Sequence, residues 1–295
     1  MTGELSAPPA SALPAVRCCL NCGAVLTGRY CANCSQAADV HVPSTRELIH
    51  EALEGVTHSD SRLWRTLYLL WFKPGRLTQE FVAGRRAAYL PPFRLYLVVS
   101  VIFFLIASVS HPGGDFARFD DGITKSGAVQ SECAGLHFTA FGGDLGPRVE
   151  HACNAIARDN GANLLHVAVG ASPKAMFIFL PLVAFLHMLM YWRPRHRYAV
   201  HLLFFLYLHA FFFSVMTLLV LSPDTSRIWP RLNPLQSLAP LLLWSLPLYT
   251  VVAMKRVFGR SWAGTLVKAA ALFVVYMAVL TLTVLGVLLY AVLQL

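Results

Sequence analysis

The sequence predicts an all-α polytopic membrane protein of about five transmembrane helices, with a small four-cysteine ribbon at its N-terminal end. Three observations carry this. Long apolar stretches nearly free of charge follow Arg94, two Cys-x-x-Cys pairs lie close together near the start, and arginines cluster at alternate ends of the apolar stretches. Of the 295 residues, 56% are hydrophobic and 13% charged, against about 25% charged in soluble domains. Because about 20 apolar residues cross the hydrocarbon layer, the lengths of these stretches point to lipid as their solvent.

The expected organisation runs from the ribbon inward. Residues 1–17 form a flexible lead-in rich in Pro, Ala and Ser, and 18–40 form the ribbon. Residues 41–92 supply cytoplasmic or interfacial helices. One covers 44–56, with Ser44 and Glu47 spaced as a capping box. Another covers 61–72, where Leu63, Trp64, Leu67, Leu70 and Trp71 recur at near-helical spacing. It is too short to cross a bilayer and carries Trp and Arg, so an interfacial position is expected. A short helix over 77–82 follows the Pro74-Gly75 break, and Pro91-Pro92 marks the entrance to the first span. The spans are expected at 93–110, 174–192, 199–221, 236–254 and 265–290, with 111–173 as a long extracytoplasmic loop.

Basic residues set the expected orientation. Arg85, Arg86 and Arg94, then Arg193, Arg195 and Arg197, then Lys255, Arg256 and Arg260 flank one side. Arginine is diluted by acidic residues in the long loop on the other. The positive-inside rule then places the N-terminus in the cytoplasm, and no secretory signal is visible in Met1–Leu13. The formal charge of +9 is accounted for by insertion and anionic lipid.

Cys19, Cys22, Cys31 and Cys34 form two Cys-x-x-Cys pairs with eight residues between them. Each pair holds one side of a tetrahedral ion if the intervening chain turns back. Gly23 suits the bend after the first pair and Gly28 the hairpin tip. Four thiolates and no histidine describe a closed structural site for one Zn2+, with iron in the same four-sulfur site as the rival and a dithiol redox pair as a further alternative. Cys18 is out of register. Within 18–40 the basic residues are limited to Arg29, so nucleic acid is not the expected partner. A docked protein or self-association is.

Several other residues invite a functional reading. His187, His201 and His209 are ionisable groups within or beside apolar segments, a functional hypothesis by default in lipid. Neutral histidines hydrogen-bonding between helices are the plainer alternative. His187 and His201 flank one short loop and are placed to meet, even around a metal. Cys133 and Cys153, in the long outer loop, are candidates for a disulfide closing about twenty residues. No paired carboxylates, phosphate-binding loop or nucleophile elbow is present, which argues against an enzyme.

The residues C19-x-x-C22-G23, G28-x-Y30-C31-x-x-C34-x-Q36, R65-T66-L67, P74-G75, G84-R85-R86-x-x-Y89, P92, and His201 with His209-Ala210-Phe211 resemble an uncharacterised bacterial membrane-protein family, the domain of unknown function numbered 3667. Ser35 stands where the family has glycine, and Val200 where an acidic residue often precedes the histidine. The resemblance implies a soluble ribbon followed by a helical region in the bacterial inner membrane, with Arg65, Arg85 and Arg86 in a basic collar under the bundle. It implies no activity. The leading expectation is an assembly or regulatory component that docks a partner through its cytoplasmic ribbon. A transporter or channel component and a lipid-handling membrane enzyme are the alternatives.

Overall fold

Runs rich in Leu, Phe and Val, unable to hydrogen-bond their backbone to lipid, satisfy it within helices, and helices account for nearly all of the regular structure. The computed structural model describes residues 17–39, 60–110, 139–140, 143–144, 154, 162–191, 197–228 and 234–294. The expected lead-in before Arg17, the helix over 44–56, Cys133 and Cys153, and Arg193 and Arg195 lie outside the described residues.

The elements are α1 (Asp60–Phe72), α2 (Arg76–Val82), α3 (Pro92–Ser110), α4 (Ala162–Met190), α5 (Tyr198–Ile228), α6 (Pro234–Phe258) and α7 (Trp262–Gln294). A two-residue antiparallel pair, β1 (Thr139–Ala140) with β2 (Gly143–Asp144), interrupts the α3–α4 connection, with Thr139 opposite Asp144. Among the described residues, four helices suffice by length and composition to cross a membrane: Val167–Met190, Tyr198–Leu221, Ala239–Phe258 and Trp262–Gln294. The apolar part of α3, Pro92–Ala107, is shorter. The fourth helix begins at Ala162 rather than at 174. Pro173 sits inside it, and the Ser172 hydroxyl donates to the Ala168 carbonyl one turn back.

Among the described residues five helices, α3 to α7, pack against one another, four of them of membrane length where five spans were expected. His187 near the end of α4 meets His201 near the start of α5, Phe258 at the end of α6 stacks on His201, and Lys268 near the start of α7 donates to the Met190 carbonyl. One end of the bundle therefore gathers the α4–α5 and α6–α7 connections. Helix α5 is the centre: 61% of its span is buried, against 11% for α7. Phe204, Phe205, Leu203, Leu206 and Ala210 are at most 1% exposed. Hydroxyls along the spans, such as Ser214, Thr217, Ser245, Thr250 and Thr283, bond to carbonyls three or four residues back in their own helices. That leaves no demand on lipid.

The N-terminal helices are wedged against the bundle rather than suspended under it. Leu70, Leu77 and Phe81 are buried. The Tyr249 hydroxyl donates to the Leu70 carbonyl at 2.8 Å, and the Tyr249 ring stacks on Phe211 at 3.8 Å. At the turn between α1 and α2, Gly75 has φ 74°. A Cβ there would lie 2.9 Å from the Ala253 carbonyl oxygen and 3.1 Å from its Cα, so both the left-handed backbone and the close approach to α6 require glycine. Arg256 of α6 donates to the Pro74 carbonyl, and Gln79 donates to the Arg256 carbonyl at 2.7 Å.

Gly75→Ala is expected to destabilise the protein by about 2 kcal/mol, the left-handed cost and the clash combined. The loss is read as a lowered thermal midpoint in detergent. Gly170→Ala, with nothing within 4 Å of its Cβ, leaves the midpoint unchanged or slightly raised.

Candidate metal centre and its seat on the collar

Two copies of one local fold build the centre. R17-C-C-L-N-C-G-A-V-L and R29-Y-C-A-N-C-S-Q-A-A align without a gap, and their backbone bonds match. In the first, Gly23 N–H donates to Cys19 O, Cys19 N–H to Ala24 O and Leu26 N–H to Arg17 O. In the second, Ser35 donates to Cys31 O, Cys31 to Gln36 O and Ala38 to Arg29 O. Each is a tight turn closed by a one-residue bridge, Cys18 with Val25 and Tyr30 with Ala37. Gly23 and Ser35 both take positive φ, 76° and 58°. Serine does so against its side-chain sterics, at about 1 kcal/mol.

The two turns face one another with their sulfurs converging. The Sγ atoms of Cys19, Cys22, Cys31 and Cys34 lie within 4.8 Å of one another. Cys19–Cys34 is 3.6 Å and Cys22–Cys31 is 3.5 Å. Thiolates at about 2.3 Å from a tetrahedral ion stand about 3.8 Å apart, so this cluster fits a metal ion. The same distances are far beyond the roughly 2.05 Å of a disulfide. The Gln36 N–H draws the Cys34 thiol down to about 6, and the Cys34 and Asn33 N–H groups lower Cys31. Against the pull of the Ala24 N–H, desolvation and the neighbouring sulfurs push Cys22 up to about 11. Backbone donors thus favour thiolate while crowding resists the accumulation of negative charge; a bound cation relieves the conflict. Cys18 is exposed and outside the cluster.

Gln36 connects this centre to the collar. Its side chain is buried, donates from Nε2 to Gly84 O at 2.8 Å, and accepts at Oε1 from the N–H groups of Arg86 and Ala87, both at 3.1 Å. Those carbonyl and amide groups are presented by the turn after α2. Gly84 has φ 84°, and Arg85 N–H caps the helix on Glu80 O. Beneath the turn, the buried Glu80 carboxylate bridges Arg76, at 2.7 Å, and Arg85. The Arg85 hydrogen bond, with Arg76 beside it, holds that carboxyl below its usual range. Arg86 lies over the Phe81 ring at 4.4 Å.

The expected basic collar is thus divided. Arg85 and Arg86 are engaged within the protein, and Arg65 is exposed. Thr66, buried, accepts from Leu90 N–H at 3.0 Å and ties α1 to the chain entering α3.

The three histidines are brought into the bundle and partnered there. His187 Nδ1 and His201 Nδ1 are 2.9 Å apart, a hydrogen bond in which one ring donates and the other accepts. Two imidazole nitrogens on one tetrahedral ion stand about 3.4 Å apart. Phe204, Phe205, Phe258 and Tyr191 enclose the pair. Among the described residues the four cysteines are the one group of three or more metal ligands. His209 is separate: Nδ1–H donates to Phe205 O at 2.9 Å, and Nε2 accepts from the Tyr276 hydroxyl at 3.2 Å. The carbonyl at Nδ1 fixes His209 as the Nδ1–H tautomer.

Glu80 and the linking role of Gln36 were missed in the sequence. Arg76 one turn before Glu80 was an available signal, as was the duplicated R-x-C-x-N-C motif. Nothing local announces that Gln36 reaches the turn after α2.

Residues 60–104 match the family described as "Protein of unknown function (DUF3667)". The match spans α1, α2, the Gly84–Ala87 turn and most of α3: the collar and the first apolar helix. No curated protein and no solved structure matches the chain.

Gln36→Ala leaves one carbonyl and two amides of the turn without their partner, at an expected cost of about 2–3 kcal/mol. Amide exchange at Arg86 and Ala87 should accelerate while exchange within α5 stays slow. Glu80 contributes stability that is complete above its ordinary value of 4.5 and lost as pH falls through its lowered one. Acid should therefore loosen the turn before it unfolds the bundle, again read by exchange.

Proposed function

We propose that this chain is an assembly or regulatory component of the bacterial inner membrane, whose zinc-filled ribbon is clamped to the membrane collar and offers a docking face to a protein partner on the cytoplasmic side. The observation that carries the reading is the Gln36 contact. A free-swinging metal knob would need no buried side chain joined to three backbone groups of the collar. Clamped this way, the ribbon is a platform with a set orientation, and Leu20, Val25 and Tyr30 stay more than half exposed on it. Apolar side chains held rigidly at the surface suit a protein contact better than a phosphate backbone. Four sulfur ligands and no open position favour a structural zinc. The arginine-bearing connections Lys255–Arg260 lie at the same end of the bundle as the collar, which supports the cytoplasmic side for both.

The histidines do not favour the transport or lipid-enzyme readings. His209 is saturated by Phe205 and Tyr276, and the His187–His201 pair is fully buried.

Photo-crosslinkers placed at Leu20, Val25 and Tyr30 of the full chain, in native membranes, test the proposal. A discrete protein adduct at these positions is expected, lost with Cys31→Ser and weakened with Gln36→Ala, while a crosslinker at Leu285 in α7 gives none of the same mass. Adducts absent at all three positions, or unchanged in both variants, overturn it. Elemental analysis of the purified chain should find one zinc per chain and none in Cys31→Ser; iron at that stoichiometry refutes the zinc assignment.

A further inference from the structure

Helix α1 has two apolar faces, and the fold covers one. Leu70 and Thr66 are buried, and Leu63, Leu67 and Trp71 pack on the bundle core. On the outer side Trp64, Tyr68 and Phe72 recur every four residues and are 73%, 56% and 68% exposed, with Tyr68 and Phe72 rings 5.5 Å apart. Arg62 and Arg65 of this helix, and Lys73 just after it, are also exposed. The described stretch 60–110 has two acidic residues, Asp60 and Glu80, and Glu80 is held by Arg76 and Arg85. The uncovered face is therefore aromatic and cationic.

Its height along the bundle says what it meets. Leu70 is bonded to Tyr249, which lies about 13 Å along α6 from the end at Phe258. Trp71 sits edge-on to Phe211 at 5.4 Å, and Phe211 lies about 20 Å along α5 from Tyr198. Helix α1 is thus held against the flank of membrane-length helices, with its uncovered side turned to the surroundings of the bundle. Indole and phenol rings favour the boundary between headgroups and acyl chains, and cations match phosphodiester oxygens.

We infer that the outer face of α1 is a binding surface for anionic phospholipid in the leaflet on the ribbon side. Trp64, Tyr68 and Phe72 are seated at the headgroup–acyl boundary, and Arg62, Arg65 and Lys73 hold the phosphates. A second copy of the chain or another protein on this face is the competing occupant.

The test uses the full chain in nanodiscs of phosphatidylcholine containing an equal, minor share of either brominated phosphatidylglycerol or brominated phosphatidylcholine. The Trp64 signal is taken as wild type minus Trp64→Phe. Bromolipid should quench it and aqueous acrylamide should not, and the phosphatidylglycerol form should quench more strongly. In Arg62→Ala, Arg65→Ala and Lys73→Ala, each cation removed should lower that preference by up to about five-fold, and salt should lower it in wild type. Trp64 reached by acrylamide and untouched by bromolipid overturns the inference. So does equal quenching by the two lipids, or a protein adduct from a photo-crosslinker at Tyr68.

Discussion

Hydrocarbon offers no hydrogen bonds, and most of the described polar groups within this bundle are answered from within the protein, the buried Tyr191 hydroxyl and His187 Nε2 being among the exceptions. Serine and threonine hydroxyls bond back along their own helices. His209 is closed by a backbone carbonyl and a tyrosine, and His187 and His201 close on each other. The same constraint shapes the seat of α1 and α2. Tyr249 reaches across to Leu70, Arg256 donates to the Pro74 carbonyl, and Gln79 donates to the Arg256 carbonyl. A collar wedged into the flank of the bundle has to bring its own partners or use those of α6.

From this follows a continuous mechanical path. The four cysteines join two copies of one turn. The second copy places Gln36, whose backbone faces Cys34 and whose side chain enters the turn after α2. That turn is braced by Glu80 between two arginines. Gly75 then allows α2 to lie against Ala253. The four-cysteine cluster, the collar and α6 are linked through few residues, each buried or sterically confined. The ribbon's attitude relative to the membrane is thereby defined, which a flexible tether would not achieve.

The family match falls on this linking region, residues 60–104, rather than on the ribbon or the later spans. The collar is where the physical demands are tightest: a left-handed glycine under a neighbouring carbonyl, a buried carboxylate and a threonine capping the entrance to α3. Lipid-facing positions of α7, such as Leu266, Phe273, Leu282 and Leu289, are exposed in the bundle and ask for little beyond hydrophobicity.

Properties that depend on near neighbours were readable in the chain. The apolar runs determined helices and lipid as solvent. The spacing of Cys19, Cys22, Cys31 and Cys34 determined a closed tetrahedral site, and the Pro74-Gly75 break determined the corner between α1 and α2. Even the approach of His187 to His201 was visible, because one short connection joins their helices. The start of α4 was not: the span was expected from 174, yet the helix begins at Ala162 and carries Pro173 inside it. Only the tertiary structure decided that Gln36 meets Gly84, that Arg85 turns inward to Glu80, and that α1 rises along the bundle to Tyr249. Hydropathy and ligand spacing are local quantities, whereas these contacts are chosen by which surfaces remain unsatisfied once the helices have packed.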